Sequence, residues 1–270
     1  MVFLTAPAAQ SGFYYWDNPT TSWKGIGANT GWGLTGNSGT DPAFNFIGTT
    51  DDVDVVFHRD ILEAGRIGMN DTSFGRGSLR FNTGTRNTAF GNSALSGFIT
   101  GFNTGNDNTA IGYQALMTNT FGSSNVALGS KALQDNKAAS NNIAIGDNSL
   151  YKQNFTNSST PYNTGNIALG YGSLYNTNST SSINGLNNIG IGTYALANNG
   201  IGISNIALGN FALGSFGTSG GSMSGSGNIA IGVASIKSLT TGSSNLSMGS
   251  SSLGYNTVGS DNISIGTDAL

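Results

Sequence analysis

The stretch NTAIGYQAL, Asn108 to Leu116, returns with small variations down to the last residue of the chain. As a pattern it reads Asn, an aliphatic or β-branched residue, a small residue, a bulky apolar residue, Gly, two free positions, Ala or Ser, and Leu. Copies start at Asp71, Asn87, Asn108, Asn125, Asn142, Asn166, Asn188, Asn205, Asn228, Asn245 and Asn262. The intervals are 16, 21, 17, 17, 24, 22, 17, 23, 17 and 17 residues, so the basal unit is 17 and the longer intervals carry inserts. Self-similarity at such a period marks a solenoid, in which no unit buries its apolar face alone and stacking supplies the core.

Within the unit, Ile143 and Ile145 alternate with Ala144, and Ile206 and Leu208 with Ala207. A period of two predicts a short strand with one bulky and one small face. The fifth residue is Gly in all eleven copies, among them Gly112, Gly129, Gly146, Gly170 and Gly209. Glycine at a fixed place after a strand predicts a corner with positive φ, which costs it no Cβ clash. The leading Asn, as in Asn108, Asn125, Asn142, Asn166 and Asn205, is expected to stack one coil apart into an amide ladder. Closing leucines such as Leu133, Leu150 and Leu174 return an apolar side chain to the interior. The fold class is therefore all-β: a parallel β-solenoid (β-roll or β-helix) of about eleven coils. At about 4.8 Å per coil the rod is roughly 50 Å long.

The phrases NIAIG, NVALG and NTAIG, each followed by two residues and Ala/Ser-Leu, resemble the head repeats of YadA-like trimeric adhesins. They are still more similar to the related repeat arrays of phage and prophage tail fibres. GFYYWDN (Gly12 to Asn18), GWGLTGNSGT (Gly31 to Thr40), NFIGTTDDVDVVF (Asn45 to Phe57) and EAGRIG (Glu63 to Gly68) match that second group. The resemblance implies a left-handed β-roll, a parallel homotrimer, and an extracellular place on a cell surface or virion fibre. The unit is longer here than in the adhesins. The small residues Ala110, Ala127, Ala144, Ala168, Gly190, Ala207 and Ala230 on one strand face suit the close approach that a threefold axis requires, and a thin monomeric coil would use them too.

Of 270 residues 42 are Gly and only 9% are charged, which fits repetitive β structure better than an α/β enzyme. A net charge of −3 provides no basic footprint for nucleic acid or an anionic membrane. With no cysteine there is neither a disulfide framework nor thiolate chemistry. No apolar run approaches the roughly 18 residues of a membrane span. VFLTAPAA near Met1 lacks a basic leader, so it reads as an internal segment, and the array is expected to continue past Leu270. Two regions follow: an aromatic-rich β cap over 1–68, and the repeat array over 69–270. The cap holds Trp16, Trp23 and Trp32 with Tyr14, Tyr15, Phe44 and Phe46, expected to pack a small core of their own.

Clustered carboxylates at Asp51, Asp52 and Asp54 invite a hard cation, but the loop patterns of calcium sites are absent and they read as a solvated strand edge. His58 with Asp60 and Glu63 offers no nucleophile. The acids of the array, Asp107, Asp135, Asp147, Asp261 and Asp268, are scattered singly, whereas glycoside hydrolysis needs a pair. No catalytic, metal or cofactor residue is assigned. Recognition is expected in the inserts Ser96 to Asp107, Tyr151 to Gly165, Tyr175 to Asn187 and Gly214 to Gly227. Their aromatics, Phe98, Phe102, Tyr151, Phe155, Tyr162, Tyr175 and Phe216, suit a cell-surface glycan or host receptor. The expected function is an adhesive fibre shaft. Its alternative is a monomeric surface-binding solenoid for ice or glycan, with a tail-spike glycosidase behind both.

Overall fold

A computed structural model describes residues 46–97, 102–177, 179–214 and 222–269, with the backbone of three strands and a few single positions before residue 46. The chain divides into two compact units, Met1–Asp51 and Asp52–Leu270. In the first, β1 (Val2–Ala6), β2 (Ala9–Asp17) and β3 (Ser22–Gly25) form an antiparallel sheet in that order. Of the aromatic core expected there, Tyr14, Tyr15, Trp16 and Trp23 lie on β2 and β3 with only their backbone described, Trp32 and Phe44 lie outside the described residues, and Phe46 is exposed.

The second unit opens with an antiparallel hairpin, β4 (Val55–Arg59) and β5 (Leu62–Ile67), whose second strand pairs antiparallel with the first motif strand, β6 (Thr72–Phe74). From there every motif supplies one strand to a single parallel ladder. These are β7 (Thr88–Phe90), β8 (Thr109–Ile111), β9 (Val126–Leu128), β11 (Ile143–Ile145), β13 (Ile167–Leu169), β14 (Ile189–Ile191), β15 (Ile206–Leu208), β16 (Ile229–Ile231), β17 (Leu246–Met248) and β18 (Ile263–Ile265). Register is exact in type: Ala127 opposes Ala110 and Ala144, and Ile189 opposes Ile167 and Ile206. A two-strand sheet of β10 (Ala139–Ser140) and β12 (Tyr162–Asn163) runs beside it. The chain thus folds as a long parallel sheet of stacked repeats, consistent with a β-solenoid.

The small strand face turns inward, which is the use that a thin single-chain coil makes of it. Ala89, Ala110, Ala127, Ala144, Ala168, Ala207 and Ala230 are fully buried inside their own chain, in one cluster with Leu116, Leu133, Leu150, Leu174, Leu196 and Leu213. The bulky residues point outward: Leu128 is 43% exposed, Ile191 41% and Ile143 37%. The reason is thickness. At Gly190, which holds the small position in its repeat, even an added Cβ would meet Ser173 Oγ at 2.6 Å and Ala195 O at 3.0 Å, so the inner face takes only small side chains. Where the small residue becomes Ser247 or Ser264, its hydroxyl is met by Ser235 Oγ at 2.7 Å or Ser252 Oγ at 2.8 Å, so the interior stays hydrogen-bonded.

The corner expectation holds. All eleven motif glycines have φ between 123° and 139°. A Cβ on Gly146 would also meet the Gly170 carbonyl carbon and oxygen at 2.7 Å, so the glycines form a column packed backbone to backbone. A further corner was not readable from the pattern: the closing leucines also take positive φ, 51° at Leu116 and 47° at Leu150, and Ile236 takes 49°. Positive φ costs a non-glycine residue about 1–2 kcal/mol. Full burial of a leucine side chain contributes about 1.5–3 kcal/mol, enough to hold it there.

The asparagine ladder forms as expected. From Asn108 to Asn262, each backbone N–H donates to the Oδ1 of the motif asparagine one repeat earlier, at 2.9 to 3.1 Å. Most of the side-chain amides donate forward, as Asn125 Nδ2 does to Ala139 O at 3.0 Å and Asn228 Nδ2 to Gly242 O at 3.0 Å. A shorter second ladder runs through Asn103, Asn119 and Asn136. It ends at the fully buried Gln153, whose amide has no partner among the described residues.

Asp71 heads the main ladder because its place demands an acceptor only. Its Oδ1 accepts the Asn87 N–H at 2.8 Å and its Oδ2 accepts Asn82 Nδ2 at 3.1 Å. Burial nonetheless pushes the carboxyl above its usual range, against the opposing hydrogen bonds. The folded state therefore holds this proton more tightly than the unfolded chain, and the contribution to stability is present in acid and lost as pH rises through the raised value. Asp71→Asn is expected to flatten this part of the profile in urea unfolding followed from about pH 4 to about pH 7. The like-signed part from Asp135, also raised by burial, remains. An unchanged slope would exclude Asp71 as its source.

Candidate functional site

Of the seven aromatic residues assigned to recognition, Phe98 and Phe216 lie outside the described residues. Phe102, within the first insert, is 65% exposed. Tyr151 and Tyr175 hold the same place one repeat apart, directly after the closing Leu, and their rings stack with centroids 5.0 Å apart and planes at 9°. Burial and the neighbouring Tyr151 raise the Tyr175 hydroxyl. Phe155 meets Tyr162 edge-on at 5.6 Å, and with Phe121 and Leu186 they close over Ala138 and Ala139 in a second small core. Tyr162 is 7% exposed, and burial raises its hydroxyl too. The insert 151–165 therefore contributes a strand, a 3-10 turn at Asn157–Ser159 and a packed cluster, so it is anchored to the stack.

A second aromatic row arises where the sequence shows only variation. The positions after the motif glycine supply Tyr171, Tyr194 and Phe211 on three successive repeats. Tyr171 meets Tyr194 edge-on at 5.2 Å, and Tyr194 stacks on Phe211 at 5.7 Å. A Cβ on Gly172 would meet Tyr194 Cε1 at 2.5 Å, so this glycine makes room for the ring. The signal was three consecutive aromatics, blurred by a shift of one position between the sixth and seventh residues of the motif. Stacking turns ring faces toward one another, leaving mainly edges and hydroxyls for a partner.

Two of the acids expected singly in the array, Asp107 and Asp147, are engaged, as are two carboxylates of the hairpin region. Asp54 and Glu63 both pair with Arg66, at 3.1 and 2.9 Å. Asp107 is bidentate to Arg86, at 2.6 and 2.8 Å, and the guanidinium holds its carboxyl below the usual range. Asp147 Oδ1 accepts the Ser130 N–H at 3.0 Å. Among the described residues no three His, Cys, Asp or Glu side chains converge as a metal site. None of the described helices is long and apolar enough to cross a membrane.

A continuous feature of the described residues is the outward face of the ladder. Its fourth-position column begins with stacked Phe74 and Phe90, 5.4 Å apart, and continues through Ile111, Leu128, Ile145, Leu169, Ile191, Leu208, Ile231, Met248 and Ile265. Beside it the second-position column runs from Thr72, Thr88 and Thr109 into Val126, Ile143 and a row of isoleucines. Comparison with protein-family models, curated proteins and solved structures finds no match.

Proposed function

We propose that this chain is a non-catalytic shaft segment of an extracellular or virion fibre, assembled as a parallel homotrimer and recognising a cell-surface glycan or host receptor through its inserts. The observation that carries the reading is the outward apolar face, unbroken over eleven in-register strands. Monomeric soluble proteins rarely leave contiguous apolar surface of more than a few hundred Å² in water, and larger patches mark interaction sites. Because the same residue types recur at every level, identical faces meet in register when copies lie parallel, and a rotation axis along the rod satisfies all of them at once. The resemblance to trimeric fibre repeats makes that axis threefold. A monomeric ice-binding face is less well supported, since hydroxyls occupy the outward columns only at Thr72, Thr88 and Thr109 before aliphatic residues take over.

Sedimentation equilibrium on the whole chain is expected to give three times the chain mass. The double variant Leu128→Lys/Ile191→Lys is expected to reduce it to one chain while the β-type circular dichroism persists, because both side chains are already partly in water. A single-chain mass for the parent protein at micromolar concentration would exclude the trimer. Retained cell binding after Phe102→Ala together with loss of the Tyr151–Tyr175 stack would leave a passive spacer.

A further inference from the structure

All five arginines of the chain fall between residues 59 and 86, and the array beyond carries only lysines. Three of them, Arg66, Arg76 and Arg80, line a cavity of about 670 Å³ between β5 and the first repeat. That volume lies within the range of small-molecule sites. Arg66 is committed to Asp54 and Glu63. Arg76 and Arg80 form no ion pair among the described residues, and the Arg80 guanidinium is held over the Phe81 ring, 5.1 Å from its centroid. The one lining carboxylate not paired with an arginine, Asp71, has its oxygens turned to Asn87 and Asn82.

The backbone adds a donor. In later repeats the seventh motif residue gives its N–H to the preceding repeat, as Gln114 does to Asn92 O at 3.0 Å and Lys131 to Tyr113 O at 2.8 Å. The first repeat has no predecessor, so the equivalent Gly77 N–H, on the wall of the same cavity, has no acceptor among the described residues. Two guanidiniums without a carboxylate and a free amide form a donor set for an oxyanion, and planar guanidinium binds carboxylate or sulfate bidentately. The remaining wall sets the apolar Leu62, Leu79 and Phe81 beside hydroxyls and amides, including Ser93 and Asn92, a mixture that suits the apolar faces and hydroxyls of a sugar.

We propose that this cavity binds an acidic saccharide, with its carboxylate or sulfate held by Arg76, Arg80 and the Gly77 N–H and its ring hydroxyls against Ser93 and Asn92. The site touches the inserts only at Ser96 and contains none of their aromatics, and the inference does not depend on the trimer. Calorimetry on the whole chain would compare a hexuronate trisaccharide, a sulfated trisaccharide and a neutral trisaccharide of the same length, with inorganic sulfate as the ion alone. At least one acidic trisaccharide is expected to bind about 10-fold or more tightly than the neutral one, and which of the two wins assigns the oxyanion. Arg76→Gln and Arg80→Gln are each expected to weaken it by about 10-fold, and added salt to weaken it further. Arg86→Gln, outside the cavity, serves as the control that leaves binding unchanged. Equal affinity for neutral and acidic sugars, no binding of any, or variants without effect at unchanged circular dichroism would overturn the proposal. Inorganic sulfate binding as tightly as the trisaccharides would overturn its saccharide part.

Discussion

Gly146→Ala is expected to destabilise the array by about 3 kcal/mol or more, two penalties falling on one atom. The first is conformational: φ is 123° there, where a side chain is strained by about 1–3 kcal/mol. The second is steric, since the new Cβ meets the Gly170 carbonyl at 2.7 Å and that carbonyl is backbone which cannot rotate away. Two other glycines separate these penalties. At Gly266 φ is 126°, yet the nearest atom to an added Cβ is Ala269 Cβ at 3.8 Å, so Gly266→Ala tests strain alone. At Gly105 the backbone is outside the positive-φ region but the Cβ would run into the Gly122 carbonyl oxygen, so Gly105→Ala tests collision alone. In urea unfolding Gly146→Ala should therefore lose most. If Gly266→Ala costs as much, the interlocked column is not what limits substitution.

Asn125→Leu is the second large loss, about 4 kcal/mol or more, because one side chain satisfies partners on three levels. Asn125 Oδ1 accepts both the Asn142 N–H at 3.1 Å and Asn142 Nδ2 at 2.9 Å. Its Nδ2 donates to Asn108 Oδ1 at 3.1 Å and to Ala139 O at 3.0 Å. Leucine is close in volume but removes all four bonds, at about 0.5–1.5 kcal/mol each, and leaves the buried Asn142 N–H with no acceptor, while Asn108 Oδ1 keeps the Asn125 N–H and Ala139 O keeps Asn136 Nδ2. Asn125→Asp makes a sharper test. Its carboxylate can still accept from Asn142, but it faces the Asn108 and Ala139 oxygens with no proton between them. Protonation supplies one donor, so the folded variant should bind that proton more tightly than the unfolded chain and gain stability as pH falls. A variant whose midpoint is independent of pH would show that the ladder tolerates a charge.

The features legible in the sequence are those that dictate a residue's identity. A corner at φ above 120° admits little but glycine, and a column that both accepts and donates at every level admits little but asparagine, so Gly146 and Asn125 stood out. Which strand face is inside was not legible, because alternation of Ile143, Ala144 and Ile145 is the same pattern read from either side. The thickness of the stack decides it, and thickness is a property of the closed coil. Leu116 at positive φ left no trace either, since burial and not conformational preference keeps it there. A second glycine column, Gly105, Gly122, Gly225 and Gly242, was hidden because Ala139 and Tyr162 interrupt it. The arginine-lined cavity depends on a hairpin folding back over the first repeat, a long-range event that no local pattern encodes.

Stacking also fixes what an insertion does to the dimensions of the object. Each motif advances the ladder by one strand spacing, about 4.8 Å, whether 16 or 24 residues separate it from the next. That is about 0.3 Å of reach per residue, roughly a fifth of what an α-helix provides. Extra residues between motifs widen the rod and leave its length untouched. Copies differing only in insert length would therefore stay in axial step, and the girth of such a rod can diversify while its ruler does not.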